Sequence, residues 1–93
     1  MDRQEAGEIL ASAISELRTR SYEDLRAMMQ ETRCEPIESP SGATYQLEVQ
    51  VFWDDRAEQN LRVMGSIDDG RLSAFHPLSE DFIIAPDGSF VGE

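Results

Sequence analysis

The order of apolar and polar residues divides the chain into a helical first third and a strand-forming remainder. Over residues 2–19 the apolar positions recur every three or four residues, which is the spacing of one helix face. A second helix is expected over residues 21–32 by the same spacing. Asp2 and Ser21 precede these segments and are residue types that cap helix N-termini. The pattern therefore predicts two amphipathic helices within about residues 2–32.

After residue 33 the period changes to two, the spacing of half-buried strands. Thr44–Trp53 alternates most cleanly, and Leu61–Asp68 alternates again after a polar loop. Arg33–Glu38 is expected to fold back as an edge strand through the four-residue turn Ser39–Gly42. Pro36 is tolerated there because an edge strand need not donate every N–H. The segment predicts the start of an antiparallel sheet.

Turn signals predict how the later strands follow. Asp69-Gly70 is a type I′ hairpin pair, which predicts that Arg71–His76 returns beside the preceding strand with Gly65 opposite Ala74. A last strand at Phe82–Ala85 and a turn at residues 86–88 complete the pattern, with residues 89–91 returning beside it.

Two hairpin registers agree with each other. If Trp53 faces Leu61, then Val51 faces Val63, and the same face of the next hairpin is also apolar. A one-residue slip would turn these side chains to the other face. The predicted fold is α+β, with two N-terminal helices packed on one face of a four- to five-stranded antiparallel β-meander. It is one domain spanning residues 1–93, with helices at about 2–32 and the sheet at about 33–91.

Charge excludes some functions. The 93 residues carry 19 acidic and eight basic side chains, a net charge of −11, and every basic residue is arginine. The lack of lysine excludes a Schiff base on this chain, and the acidity argues against nucleic acid as a partner, since phosphate binding needs cations. Residues 1–33 have a net charge of −2 and residues 34–93 one of −9. The sheet half is therefore the electronegative half.

The compartment is expected to be the cytoplasm. The N-terminus is polar with no signal-like apolar stretch, and the longest apolar run, Phe82–Ala85, is far too short to cross a membrane. A single cysteine cannot form an internal disulfide. We expect no membrane association, and the arginine-only usage suits a bacterium with a GC-rich genome.

Candidate catalytic and metal groups are few. The doublets Asp54-Asp55 and Asp68-Asp69 close opposite ends of one hairpin, about 23 Å apart, and are expected to form turns rather than a metal site. Cys34 and His76 are the only thiol and imidazole. Both are expected to point to the helix-covered face, where a buried thiol is inert. We expect no catalytic residue, no cofactor and no metal, and an enzyme is not the favoured class.

One surface suggests binding. By the predicted registers, three apolar side chains point away from the helices among polar neighbours, and this possible interaction patch is Gln50, Phe52, Arg62, Met64 and Phe75. Such clusters often mark interaction sites. The alternative is that Ile37, the C-terminal residues 89–93 or the Asp54–Asn60 loop covers it.

Three function classes remain open from the sequence. The favoured hypothesis is a non-catalytic protein-interaction module, with a homodimer as one form of it. The second is an inhibitor-, immunity- or chaperone-type protein that masks a basic partner through its acidic surface. The third is a small-molecule binder or enzyme that uses a cleft between helices and sheet. The partner is therefore expected to be this chain itself or a basic protein.

Overall fold

The structure, a computed structural model, describes residues 1–70 and 77–93 and has the α+β class predicted from the sequence. Two helices precede four strands. The elements are α1 (Arg3–Leu17), α2 (Tyr22–Ala27), a 3₁₀ turn (Met28–Gln30), β1 (Arg33–Glu38), β2 (Thr44–Trp53), β3 (Leu61–Asp68) and β4 (Leu78–Ile84).

Both predicted caps are confirmed. The Asp2 carboxylate accepts the backbone N–H of Glu5 at 3.0 Å, and the Ser21 hydroxyl accepts that of Asp24 at 3.1 Å. Each bond satisfies an N–H that has no partner inside its helix. The second helix tightens into the 3₁₀ turn before it ends.

The four strands form one antiparallel sheet in the order β1-β2-β3-β4. The predicted register between β2 and β3 is confirmed, with Trp53 opposite Leu61 and Val51 opposite Val63. Residues 89–91 return beside β4 through a single bridge between Ile84 and Phe90, so this segment is not a fifth strand.

The predicted partner of β3 is wrong. Gly65 pairs with Glu80 of β4, whereas the Asp69-Gly70 hairpin would have set it opposite Ala74. The predicted strand Arg71–His76 itself lies outside the described residues. The observed register brings Phe82 of β4 into the core at 3% exposure, and this burial explains why β4 takes the position beside β3.

The register defines two faces of the sheet. The core face carries the buried strand residues Tyr45, Leu47, Val51, Leu61, Val63, Ile67, Phe82 and Ile84. The outer face carries the alternate residues: Cys34, Pro36 and Glu38 of β1, Thr44, Gln46, Glu48, Gln50 and Phe52 of β2, Arg62, Met64, Ser66 and Asp68 of β3, and Ser79, Asp81 and Ile83 of β4.

The core-face residues join helix residues in one apolar cluster. The helix members are Ala6, Leu10, Ile14, Leu17, Tyr22 and Leu25. Helix α1 contacts β3 and β4, and α2 contacts β2 and β3. The closest approach is at Gly65, where an added Cβ would lie 3.1 Å from the Leu10 side chain and 3.2 Å from that of Ile14.

A polar network ties the start of α1 to the hairpin between β1 and β2. The hydroxyls of Tyr45 and Ser41 each donate to Glu5 Oε1 at 2.8 Å, although Tyr45 is only 1% exposed. The hydrogen bond from Tyr45, and then that from Ser41, lowers the pKa of Glu5. The same bond to Glu5, together with burial, raises the pKa of Tyr45 to about 12. The network therefore favours the charged carboxylate and the neutral phenol.

Candidate functional site

Four of the five residues of the predicted interaction patch lie together on the outer face. Gln50 is opposite Met64, and Phe52 is opposite Arg62, on the adjacent strands β2 and β3. Phe52 is 38% exposed, and the other three are half-buried. The fifth residue, Phe75, lies outside the described residues. The structure thus brings the described part of the patch into one block.

Ile83 belongs to the same surface and was missed by the sequence reasoning. It pairs with Arg62 across β3 and β4 and is half-buried. Its apolar neighbours on either side, Phe82 and Ile84, face the core. Alternation within that short run was the signal that could have assigned Ile83 to the outer face. Phe52, Met64 and Ile83, grouped around Arg62, are called the apolar centre below.

Arg62 is held between two carboxylates. Its guanidinium lies 2.8 Å from Asp54 Oδ1 and makes a second ion pair with Asp81 Oδ2. The hydrogen bond to Asp81, then that to Asp54, raises the pKa of Arg62. The two acids fix the orientation of the side chain, and the trio has a net charge of −1.

Other carboxylates extend along the outer face from the apolar centre toward the opposite end of the sheet. Glu38, Glu48 and Asp68 lie on the outer face, and Glu48 accepts a hydrogen bond from the Gln50 amide at 2.7 Å. Within residues 1–70 and 77–93, none of these three acids forms a salt bridge. With Asp54 and Asp81 they give the described outer face five carboxylates against one guanidinium, a net charge of −4.

Ile37 and the C-terminal residues lie away from the outer face, and the Asp54–Asn60 loop reaches it with Asp54, which pairs with Arg62. Ile37 belongs to the opposite parity of β1 and packs against the core cluster. The Asp54–Asn60 loop turns toward α2, because the Tyr22 hydroxyl donates to the Gln59 carbonyl at 2.6 Å. Phe90 of the C-terminal residues packs edge-on against Phe82 of the core, with ring centroids 5.5 Å apart.

Arg18 at the end of α1 fixes the C-terminal residues in that position. Its guanidinium lies 4.8 Å from the ring centre of Phe82 and 4.9 Å from that of Phe90. The same group pairs with Glu93 at 2.8 Å. Cation–π contact and charge together hold this segment beside α1 and β4.

Each edge of the sheet has a feature that hinders pairing with another strand. Ser39 N–H donates to the Ala43 carbonyl, so the backbone groups of Ser39 point toward β2. Backbone groups alternate in direction along a strand, so the nitrogen of Pro36, three residues earlier, points to the free edge. Proline has no N–H there and interrupts the row of donors. On β4, the Ile83 carbonyl already accepts the N–H of Val91. Faces, rather than edges, are therefore the larger available surfaces.

The expectation that Cys34 is buried is wrong. Cys34 is exposed and lies on the outer face opposite Glu48, with its Sγ 3.9 Å from Gln46 Oε1. The turn before β2 has five residues, 39–43, one more than expected, and this single residue exchanges the two faces of β1. His76 lies outside the described residues.

One aspartate of each acidic doublet accepts hydrogen bonds from backbone N–H groups of its own loop. Asp55 Oδ1 accepts the backbone N–H of Gln59 at 2.9 Å, and Asp68 Oδ1 accepts that of Gly70 at 2.7 Å. Within the described ranges, no group of three or more histidine, cysteine, aspartate or glutamate residues could hold a metal ion.

A groove lies between α1 and the strands β1 and β2. This groove has a volume of about 290 Å³ and is lined by Ile9, Ala13, Glu16, Leu17, Arg20, Met28, Arg33, Glu35, Ile37, Leu47 and Val49. Its floor is apolar, and at its rim Arg20 is paired with Glu16 at 3.0 Å.

No protein-family model, curated protein or solved structure matches this chain. None of the helices in the described part of the chain is long and apolar enough to cross a membrane.

Proposed function

We propose that this chain is a non-catalytic protein-interaction module that docks a partner protein on the outer face of its sheet. The apolar centre, in which Phe52 is exposed and Met64 and Ile83 are half-buried, is the observation that carries the proposal. Phe52, Met64 and Ile83 lie around Arg62 on the consecutive strands β2, β3 and β4, and Ile37, Gln59 and Phe90 of the candidate covering segments make their contacts elsewhere. An apolar group within a polar rim is the usual composition of an interaction surface.

The arrangement of the helices supports this proposal. We infer that both helices lie over the core face. The side chains of Leu10 and Ile14 approach Gly65, and the strand residues of the apolar cluster lie on the same side of the sheet as the Cβ that Gly65 lacks. The outer face is then the broad surface that the helices leave available. The residues of its apolar centre lie on strands of the sheet, which hold them in position before a partner binds, as a preformed docking site requires.

A second copy of the chain fits this face less well than another protein does. If two outer faces were in contact, each would place its net charge of −4 against the −4 of the other. Like charges across an interface cost several kcal/mol. Each edge also has a feature that hinders pairing, so strand pairing between copies gains little. We expect sedimentation at about 0.1 M salt to show a monomer. A dimer that dissociates in Met64→Glu would show instead that the occupant of the outer face is a second copy of this chain.

Affinity capture from native lysate of the source cell tests the proposal. The immobilised proteins are the wild type, Met64→Glu on the outer face and Ala11→Glu on the exposed side of α1. Both variants add one negative charge, so only its position differs. At least one protein should be retained by the wild type and by Ala11→Glu but lost by Met64→Glu. If quantitative mass spectrometry finds no such protein, the outer face is not the docking surface.

The groove beside α1 supports a second candidate function, the binding of a small apolar molecule. Its volume of about 290 Å³ is near the lower limit for ligand pockets. Native mass spectrometry of the purified protein tests this function. A small ligand that is retained by the wild type and lost in Ala13→Trp, where the larger side chain fills the groove, would favour it over protein docking.

A further inference from the structure

We infer that the partner of the outer face presents a positively charged surface beside an apolar side chain. This inference rests on the proposed function and names the chemistry of the partner. The apolar centre supplies the contact that must be matched by an apolar group. Arginine or lysine beside that group would pair with the outer-face carboxylates that the contact covers, because a carboxylate buried without a partner is costly.

The charges on the outer face are available to a partner's cations. Arg62 is the single cation among the described outer-face residues, and Asp54 and Asp81 already bind it. The chain provides no salt bridge to Glu38, Glu48 or Asp68 within its described residues. Glu48 lies one residue pair from Gln50 and Met64, whereas Asp68 and Glu38 lie about 13 and 20 Å farther along the strands, toward the other end of the outer face. A partner with cations at the matching positions would complete three new ion pairs.

The charge of the whole molecule favours the same orientation. The helical residues 1–33 have a net charge of −2, and residues 34–93, which contain the sheet, have a net charge of −9. A basic protein is therefore attracted to the sheet side of the molecule before contact. Such steering raises the association rate at low salt and fades as salt screens the charges.

The same charges make other occupants unfavourable. A second copy brings another acidic face, and nucleic acid brings phosphates of the same sign. An acidic or neutral protein could match the apolar centre but would leave the outer-face carboxylates without cations. A basic protein is the occupant that satisfies both parts of the surface. Masking a basic partner is the role that an inhibitor, an immunity protein or a chaperone would perform with this face.

Opposite charges introduced at one outer-face position test the sign of the partner. The probe is a display library of one small helical scaffold with a randomised surface, unbiased in charge and selected on the immobilised wild-type protein. The selected binders are then measured on Met64→Glu and Met64→Arg, and on the control pair Ala11→Glu and Ala11→Arg. Unfolding curves establish that each variant is folded, and Ser66→Glu with Ser66→Arg serve if a Met64 variant is not.

We expect the selected binders to be enriched in arginine and lysine. They should bind Met64→Arg about tenfold more weakly than Met64→Glu at 0.1 M salt, because the added cation repels them. At 0.5 M salt the difference should fall to about twofold, and the Ala11 pair should differ by no more than about that at either salt concentration.

The other outcomes separate the inference from the proposed function. Equal weakening by Met64→Glu and Met64→Arg, independent of salt, would overturn the basic partner while leaving the outer face as a docking surface. Binders that tolerate both Met64 variants would overturn the docking surface and the inference together.

Discussion

The two faces of the sheet are built from alternate residues of the same strands, yet they differ in nearly every physical property. On β3, the core-face residues Leu61, Val63 and Ile67 are completely buried, whereas Arg62, Met64 and Ser66 between them remain half-buried. One face is apolar and contacts α1. The other has a net charge of −4 and includes a small apolar centre. The core face accounts for folding, and the outer face is the one that we propose for docking.

The difference between the two faces is largest when the same charge is placed on neighbouring residues of β3. Val63→Glu buries a carboxylate without a partner and should lower the free energy of unfolding by about 3–5 kcal/mol. Met64→Glu, one residue along β3, should lower it by no more than about 1 kcal/mol, because its side chain reaches water. Urea unfolding of both variants provides the measurement. Similar losses in the two would mean that the faces are not distinct.

Two glycines test where α1 approaches the core face. Gly65→Ala should lower the free energy of unfolding by about 1–2 kcal/mol, since its Cβ would press against the Leu10 and Ile14 methyl groups. Gly7→Ala in α1 has no atom within 4 Å of the new Cβ and should instead raise it by about 0.5–1 kcal/mol. Thermal unfolding distinguishes the two signs, and a stabilising Gly65→Ala would show that α1 lies farther from β3.

The C-terminal residues provide a smaller effect. Arg18→Ala removes the contacts to the Phe82 and Phe90 rings and the pair with Glu93, so it should cost about 1 kcal/mol. Amide exchange at Val91 should accelerate as the segment detaches. Arg20→Ala loses one exposed ion pair with Glu16 and should cost about 0.3–0.5 kcal/mol. An unchanged Val91 exchange rate in Arg18→Ala would refute this anchoring.

The smallest effect concerns pH and the network at Glu5. Its pKa is lowered in the folded protein, so the stabilisation by its carboxylate is complete above the ordinary glutamate value and is lost as pH falls through the lowered pKa. Glu5→Gln should therefore be less stable than the wild type at pH 7, and the difference should shrink below about pH 4. Urea unfolding at both pH values measures it; a difference that grows in acid has the wrong sign.

The sequence predicted the strands best where both faces constrained the register. Val51 and Val63 belong to the buried alternation of β2 and β3, so a slip between these strands would turn core residues to the outer face, and that register is confirmed. No such constraint acts on β1, which is exposed along most of its length. A one-residue error in its turn was enough to misplace Cys34.

Local turn signals were less informative than burial across the sheet. Asp69-Gly70 predicted a tight return beside β3, but the strand that pairs there is β4, which brings Phe82 into the core. Gly70 does adopt a positive φ, as its residue type suggested. A dipeptide can indicate a turn without determining which later segment pairs with the strand before it. Ile83 was missed because its facing depends on that pairing.

Thiol labelling measures most directly whether the outer face is open. In a Cys34→Ser background, Met64→Cys and Val63→Cys place one thiol on each face of β3. Met64→Cys should react with a soluble disulfide reagent within about tenfold of the rate of an exposed thiol. Val63→Cys should react at least about a thousandfold more slowly, because its labelling requires opening of the sheet. If Met64→Cys is protected as strongly as Val63→Cys, part of the chain covers the outer face and the docking surface does not exist.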